Sequence, residues 1–127
     1  MNFKQALIQI QSRYEIRQIT KDVFQILINQ NLNTLNTCFV VIKNSEIPLL
    51  TDYGKTCELI DCNEETVKQI CKQNNVFFNN YNIELPFENI NDIEKIVKTI
   101  IQIKKFWNKL YLFLIIKNIL KFDISII

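Results

Sequence analysis

The sequence predicts a small α/β protein: an α-β-α sandwich with a short sheet, two N-terminal helices and a long C-terminal amphipathic helix. Three observations predict it. Between Asp92 and Lys121 the residues Ile93, Ile96, Ile100, Ile103, Trp107, Leu110 and Leu114 recur at spacings of three and four, which lays one apolar stripe along a helix. Cys38-Phe-Val-Val-Ile42 is an unbroken apolar run rich in β-branched residues, the pattern of a strand covered on both faces. A capped helical segment separates it from a second apolar run, Val76-Phe-Phe78, as in a β-α-β crossover.

At the N-terminus Phe3, Leu7, Ile10 and Tyr14 share one helical face, and Ile16, Ile19, Val23 and Ile26 share another. The phase slips between Tyr14 and Ile16, so two helices with a tight corner are expected rather than one rod. Asn29 to Asn36 is polar and rich in turn formers, which ends the second helix. Residues 43–61 are irregular, punctuated by Pro48 and Gly54, with Cys57-Glu-Leu-Ile60 a candidate edge strand. Asn63 is placed to cap a helix from Glu64 to Asn74, with Glu64 and Glu65 in the first turn where the helix dipole favours anions. Val67, Ile70 and Cys71 then face inward. Asn79 to Asn82 turns the chain, Ile83-Glu-Leu85 is extended and Pro86 ends the extension. Asn91, with Glu94 three residues on, starts the last helix. A chain of 127 residues can bury one core. It reads as a single domain over 1–127, with an α/β core at 1–87 and a long basic amphipathic helix at 88–122.

The net charge of +2 hides a segregation. Residues 61–94 hold Asp61, Glu64, Glu65, Glu84, Glu88, Asp92 and Glu94 against Lys68 and Lys72, whereas residues 95–127 hold seven lysines against Asp123 alone. Such polarity suits a protein set between an anionic and a cationic partner, and it equally describes two ordinary solvated faces.

The chemistry is mostly one of exclusion. The chain has no His, which removes Ser-His and Cys-His nucleophile pairs and the commonest metal ligand. Tyr53-Gly-Lys-Thr56 has the ending of a phosphate-binding loop, but Leu49 stands where that loop needs its first Gly. Of the four cysteines, Cys38 and Cys71 fall on apolar faces and read as buried thiols. Cys57 and Cys62 are spaced just beyond the usual ligand interval, leaving a disulfide or a metal pair open for those two. Glu64 and Glu65 point apart on their helix and make no catalytic pair. No catalytic residue, metal, cofactor or small-molecule substrate is therefore expected, and no enzyme. Leu110 to Ile116 is uninterrupted but too short to span a bilayer, and Lys109, Lys117 and Lys121 break any longer run, leaving membrane contact at most interfacial. Without a secretory leader, a cytoplasmic or organelle-interior location is expected.

What remains positive lies on the last helix. Lys95, Lys98, Gln102, Lys105 and Lys109 follow the helical rhythm opposite the apolar stripe and form a candidate RNA-binding line, each lysine able to displace a counterion from a phosphate backbone. Phe106, Trp107, Leu110, Phe113 and Leu114 form a candidate surface for docking a partner. Tyr81, Phe77 and Phe78 offer rings for base stacking, although Phe77 and Phe78 are expected rather to fill the core.

Up to Leu85 the order of elements resembles the α-β-α sandwich of the kink-turn RNA-binding ribosomal protein superfamily. The resemblance rests on Ile16-Arg-Gln-Ile-Thr-Lys-Asp-Val23 as second helix, Cys38-Phe-Val-Val-Ile42 as first strand, Glu65 to Phe78 as helix and strand, and Tyr81-Asn-Ile-Glu-Leu85. Where that family's RNA-reading helix carries Gly-x-Asn-Glu-x-x-Lys, this chain has Gln18, Thr20, Lys21 and Phe24. The resemblance implies a diverged, non-catalytic component of a ribonucleoprotein, most simply a peripheral ribosomal protein contacting structured RNA and neighbouring proteins. The other expectation is an accessory structural subunit of a large assembly, docked through the apolar face of its last helix.

Overall fold

The structure, a computed structural model, describes residues 1–28, 38–59 and 63–126, with the side chains of 59, 110, 111, 114 and 120–126 outside the described set. Its elements are α1 (Phe3–Gln11), β1 (Glu15–Thr20), β2 (Val23–Leu27), β3 (Val40–Lys43), β4 (Leu49–Thr51), α2 (Lys55–Leu59), α3 (Glu64–Gln73), β5 (Phe77–Asn79), β6 (Asn82–Pro86) and α4 (Asn91–Ile126). The strands form one six-stranded sheet in the order β1-β2-β3-β4-β6-β5, with every neighbouring pair antiparallel. The α/β class stands. The expected turn at Asn29 to Asn36 lies outside the described residues.

The expected second helix is a β-hairpin, β1–β2. Its apolar spacing of three misleads because Val23 and Ile26, both buried, sit on opposite faces of a strand paired on both sides, and Ile19 falls at a bulge between Gln18 and Thr20. The corner between the strands is fixed by side chains. Thr20 Oγ1 accepts the N–H of Asp22 (3.2 Å), and Asp22 Oδ1 accepts from Asn44 Nδ2 (3.1 Å).

The expected β-α-β crossover is also absent. β5 pairs only with β6, at the far edge of the sheet, while β3 lies between β2 and β4. The turn chemistry decides this: Asn79 pairs with Asn82 across a two-residue loop whose residues, Asn80 (φ 51°) and Tyr81 (φ 65°), are both left-handed. That loop twists the chain straight back into an antiparallel hairpin. Cys57-Glu-Leu-Ile60, expected as an edge strand, belongs instead to α2 as far as Leu59, and the strand of this region is β4, between β3 and β6.

Register separates the two faces of the sheet. Ile26, Val40, Ile42, Leu50, Ile83 and Leu85 join one buried cluster with Ala6 and Ile10 of α1, Val67, Ile70 and Cys71 of α3, and Ile93, Ile96, Ile100 and Ile103 of α4. Each large side chain fully buried there contributes about 1.5–3 kcal/mol. The other face carries Arg17, Gln25, Val41, Thr51, Glu84 and Phe77 in one cross-strand row. The helices that join the buried cluster, α1, α3 and α4, meet the first face, which leaves the second the more open of the two, with Arg17 and Phe77 exposed although Val41 and Thr51 are buried. These three helices do not flank the sheet on both faces as expected.

Candidate functional site

α4 is continuous because nothing breaks it: the last Pro is Pro86 and the single Gly is Gly54. Its start is held by other side chains than the expected Asn91. Asn89 Oδ1 accepts the N–H of Asn91 (2.9 Å), and Asp92 Oδ2 accepts those of Glu88 (2.8 Å) and Asn89 (3.0 Å), so Asn91 is the first helical residue and not the cap. Ile93, Ile96, Val97, Thr99, Ile100 and Ile103 are buried, and the Thr99 hydroxyl donates to the Lys95 carbonyl (2.8 Å). Trp107 is half-buried against the core, its ring edge-on to Phe106 at 5.7 Å, with the indole Nε1 buried and unpartnered among the described residues.

Beyond Trp107 the environment changes. Phe106 is 43% exposed, Leu112 50%, Phe113 61%, Ile116 56% and Ile119 55%. Of the expected docking residues the structure thus brings Phe106 and Phe113 to the surface and half-buries Trp107, while the side chains of Leu110 and Leu114 lie outside the described set. Leu112, Ile116 and Ile119 were not expected there. The signal for them is the line Lys98, Gln102, Lys105, Lys109, Leu112, Ile116, Ile119, an alternation of four and three that runs along one side of a helix. The lysine stripe and the exposed apolar patch are one line, charged up to Lys109 and apolar from Leu112.

Within the stripe, Lys98, Lys105 and Lys109 are exposed and Lys95 is half-buried. Gln102 Oε1 accepts from Asn74 Nδ2 (3.0 Å), which ties the end of α3 to α4 and gives this stripe member a structural contact. The ion pairs among the described residues lie elsewhere, Lys55–Glu58 and Lys68–Glu64. Of the rings considered for stacking, Tyr81 is exposed and edge-on to the half-buried Phe78, at 5.9 Å. Phe77, expected to fill the core, is instead 62% exposed, because its register opposite Glu84 puts it on the face of the sheet away from the buried cluster.

The loop-like segment Tyr53–Thr56 is a cradle for an anion, and the anion is the chain's own. Asp52 is fully buried; its Oδ1 accepts the N–H groups of Gly54 (2.8 Å) and Ile83 (2.9 Å), and its Oδ2 that of Thr56 (3.2 Å). Tyr53 (φ 52°) and Gly54 (φ 71°) take left-handed conformations to aim those donors, and a Cβ on Gly54 would stand 3.1 Å from Asn82 Oδ1. The carboxylate fastens β4 and α2 to β6 and fills the place a phosphate would need.

A cleft of about 1010 Å³ lies beside α4, lined by Tyr14, Ile26, Cys38, Val97 and Ile101 with Arg13 and Glu94 among its charged groups. Burial pushes the Cys38 thiol up, only partly opposed by Lys104, and burial with Glu94 nearby pushes the Tyr14 phenol up. Both keep their protons at neutral pH, and a protonated thiol is a poor nucleophile. Cys71 is buried, Cys57 is half-buried on α2, and Cys62 lies outside the described residues. Among the described residues no group of three or more Cys, Asp or Glu is placed to hold a metal ion, and no helix is long and apolar enough to cross a membrane. No family model matches the chain, and neither does any curated protein or solved structure.

Proposed function

We propose that this protein is a non-catalytic docking subunit of a larger assembly in the cytoplasm or an organelle interior, attached through the distal part of α4. One observation carries the reading: Phe106, Leu112, Phe113, Ile116 and Ile119 stand in solvent within fourteen residues of one helix. An exposed apolar stretch of that density marks a contact surface. Magnitudes favour it over the lysines as the source of affinity. A large apolar side chain contributes about 1.5–3 kcal/mol when fully buried, against roughly 0.2–1 kcal/mol for an exposed ion pair.

RNA binding through the stripe is a second reading, supported by Lys98, Lys105 and Lys109 being exposed and outside the ion pairs of the described residues. Sedimentation of extract from the protein's own cells, with and without ribonuclease and at low and high salt, separates the two. Apolar docking predicts migration with a large particle that survives both treatments, because salt screens charge and leaves apolar burial intact. Release by ribonuclease, with steep loss in salt, transfers the role to the lysines. A slow free chain under every condition overturns both readings.

A further inference from the structure

The sheet has two unlike edges. β5 closes one with three residues, whereas β1 leaves six on the other, and among the described residues no element pairs with its outer side. β1 contains no Pro, and every residue in it is exposed except the half-buried Ile16. Proteins usually blunt such an edge, since its outward N–H and C=O groups form a template for another strand. Here the bulge after Gln18 interrupts the far end, leaving Glu15 to Gln18 as the regular part.

We infer that this edge pairs with the β1 edge of a second copy of the chain, antiparallel about a two-fold axis. Symmetry restricts the registers. A two-fold axis that makes two edges antiparallel stands perpendicular to the sheet, so residues opposite one another must share a face. Glu15 and Arg17 are on the open face, and Ile16 and Gln18 on the covered one. Placing Glu15 on the axis opposes it to itself, and placing Arg17 there does the same, setting like charges together in the closest pair. Placing Gln18 there opposes Arg17 to Ile19 and leaves Glu15 beyond the paired segment. With Ile16 on the axis, Ile16 meets Ile16, Gln18 meets Tyr14, and Glu15 of each copy meets Arg17 of the other. That register alone pairs every charge in Glu15–Gln18 with its opposite.

Arg17 is available for the pairing. Its Nη2 donates to Gln25 Oε1 (2.6 Å) on the same open face, which holds the guanidinium across the strand and leaves its remaining donors to face a carboxylate. The result is a sheet continuous through two chains. It is independent of the α4 reading, because β1 and the projecting part of α4 are separate surfaces.

The test is sedimentation equilibrium of the purified full chain over a range of concentrations, combined with amide hydrogen exchange of residues 15–18. The native chain should reach twice its 15.1 kDa mass as concentration rises, with slowed exchange in Glu15–Gln18. Arg17→Glu, which opposes four carboxylates across the axis, should remain at the single-chain mass and lose that protection while β2 and β3 keep theirs. The double reversal Glu15→Arg with Arg17→Glu restores opposite charges and should restore both mass and protection. A native chain that stays single at every concentration overturns the inference. So does association that persists in Arg17→Glu with rapid exchange in β1, which would assign self-association to another surface such as α4.

Discussion

The two parts of α4 share one helix and differ in what they turn to solvent, lysines as far as Lys109 and apolar side chains from Leu112 on. Ile96, Ile100 and Ile103 are fully buried against the sheet and α3, whereas Ile116 and Ile119, which continue the lysine side of the helix, are more than half exposed. The two faces of the sheet repeat the contrast: Ile42 and Leu50 lie under helices, while Arg17 and Phe77 on the other face are exposed and Glu84 between them is half-buried. The side of the helix that carries Lys98, Lys105 and Lys109 over the folded body carries apolar residues from Leu112 on, and there they stand in solvent. The rest of the line is a surface for something else.

The largest expected difference tests that contrast directly. Ile100→Ala should lower stability by about 3 kcal/mol, as a truncation in a fully packed site does, while Ile116→Ala should change it by less than about 0.5 kcal/mol. Urea unfolding of the purified variants measures both, and equal losses would break the comparison. Trp107→Ala, at the boundary, should cost about 2 kcal/mol, below the value for a fully buried aromatic because part of the ring already meets water. A cost near zero would move the boundary back toward Ile103.

The smallest effect sharpens the same contrast on the sheet. Burial raises the pKa of the Glu84 carboxyl, with Asp52 adding to the shift and Lys43 opposing it. The folded chain therefore holds a proton at a pH where the unfolded chain has lost it. That contribution is complete on the acid side of the ordinary carboxyl range and is lost as pH rises through the raised value. Glu84→Gln should thus raise the urea midpoint at neutral pH, and its advantage should shrink on acidification. An advantage that is constant with pH would mean that Glu84 acts through packing and not through its charge.

How much of this was readable beforehand depended on how local the deciding interaction is. α1, α3, β3, the extension at Ile83–Leu85 and the Asn63 cap were legible because their signals lie within a few residues; Asn63 Oδ1 does accept from Glu65 and Thr66. The β1–β2 hairpin was not, since a strand apolar on both faces imitates helical spacing at Val23 and Ile26. The place of β5 was not, because it turns on two left-handed residues at Asn80 and Tyr81. In the site, the lysine line and Phe106 and Phe113 were visible as patterns. Leu112, Ile116 and Ile119 continued that line, but no pattern within the chain states where its own core ends.

The measurement that bears most directly on the docking claim is sedimentation from the protein's own cells of a variant with Leu112, Phe113, Ile116 and Ile119 all changed to Gln. These side chains touch little of the folded body, so the purified variant should unfold at the native urea midpoint. In extract it should leave the large particle and sediment as a free chain. Continued migration with the particle, at native abundance and with native stability, would contradict the account.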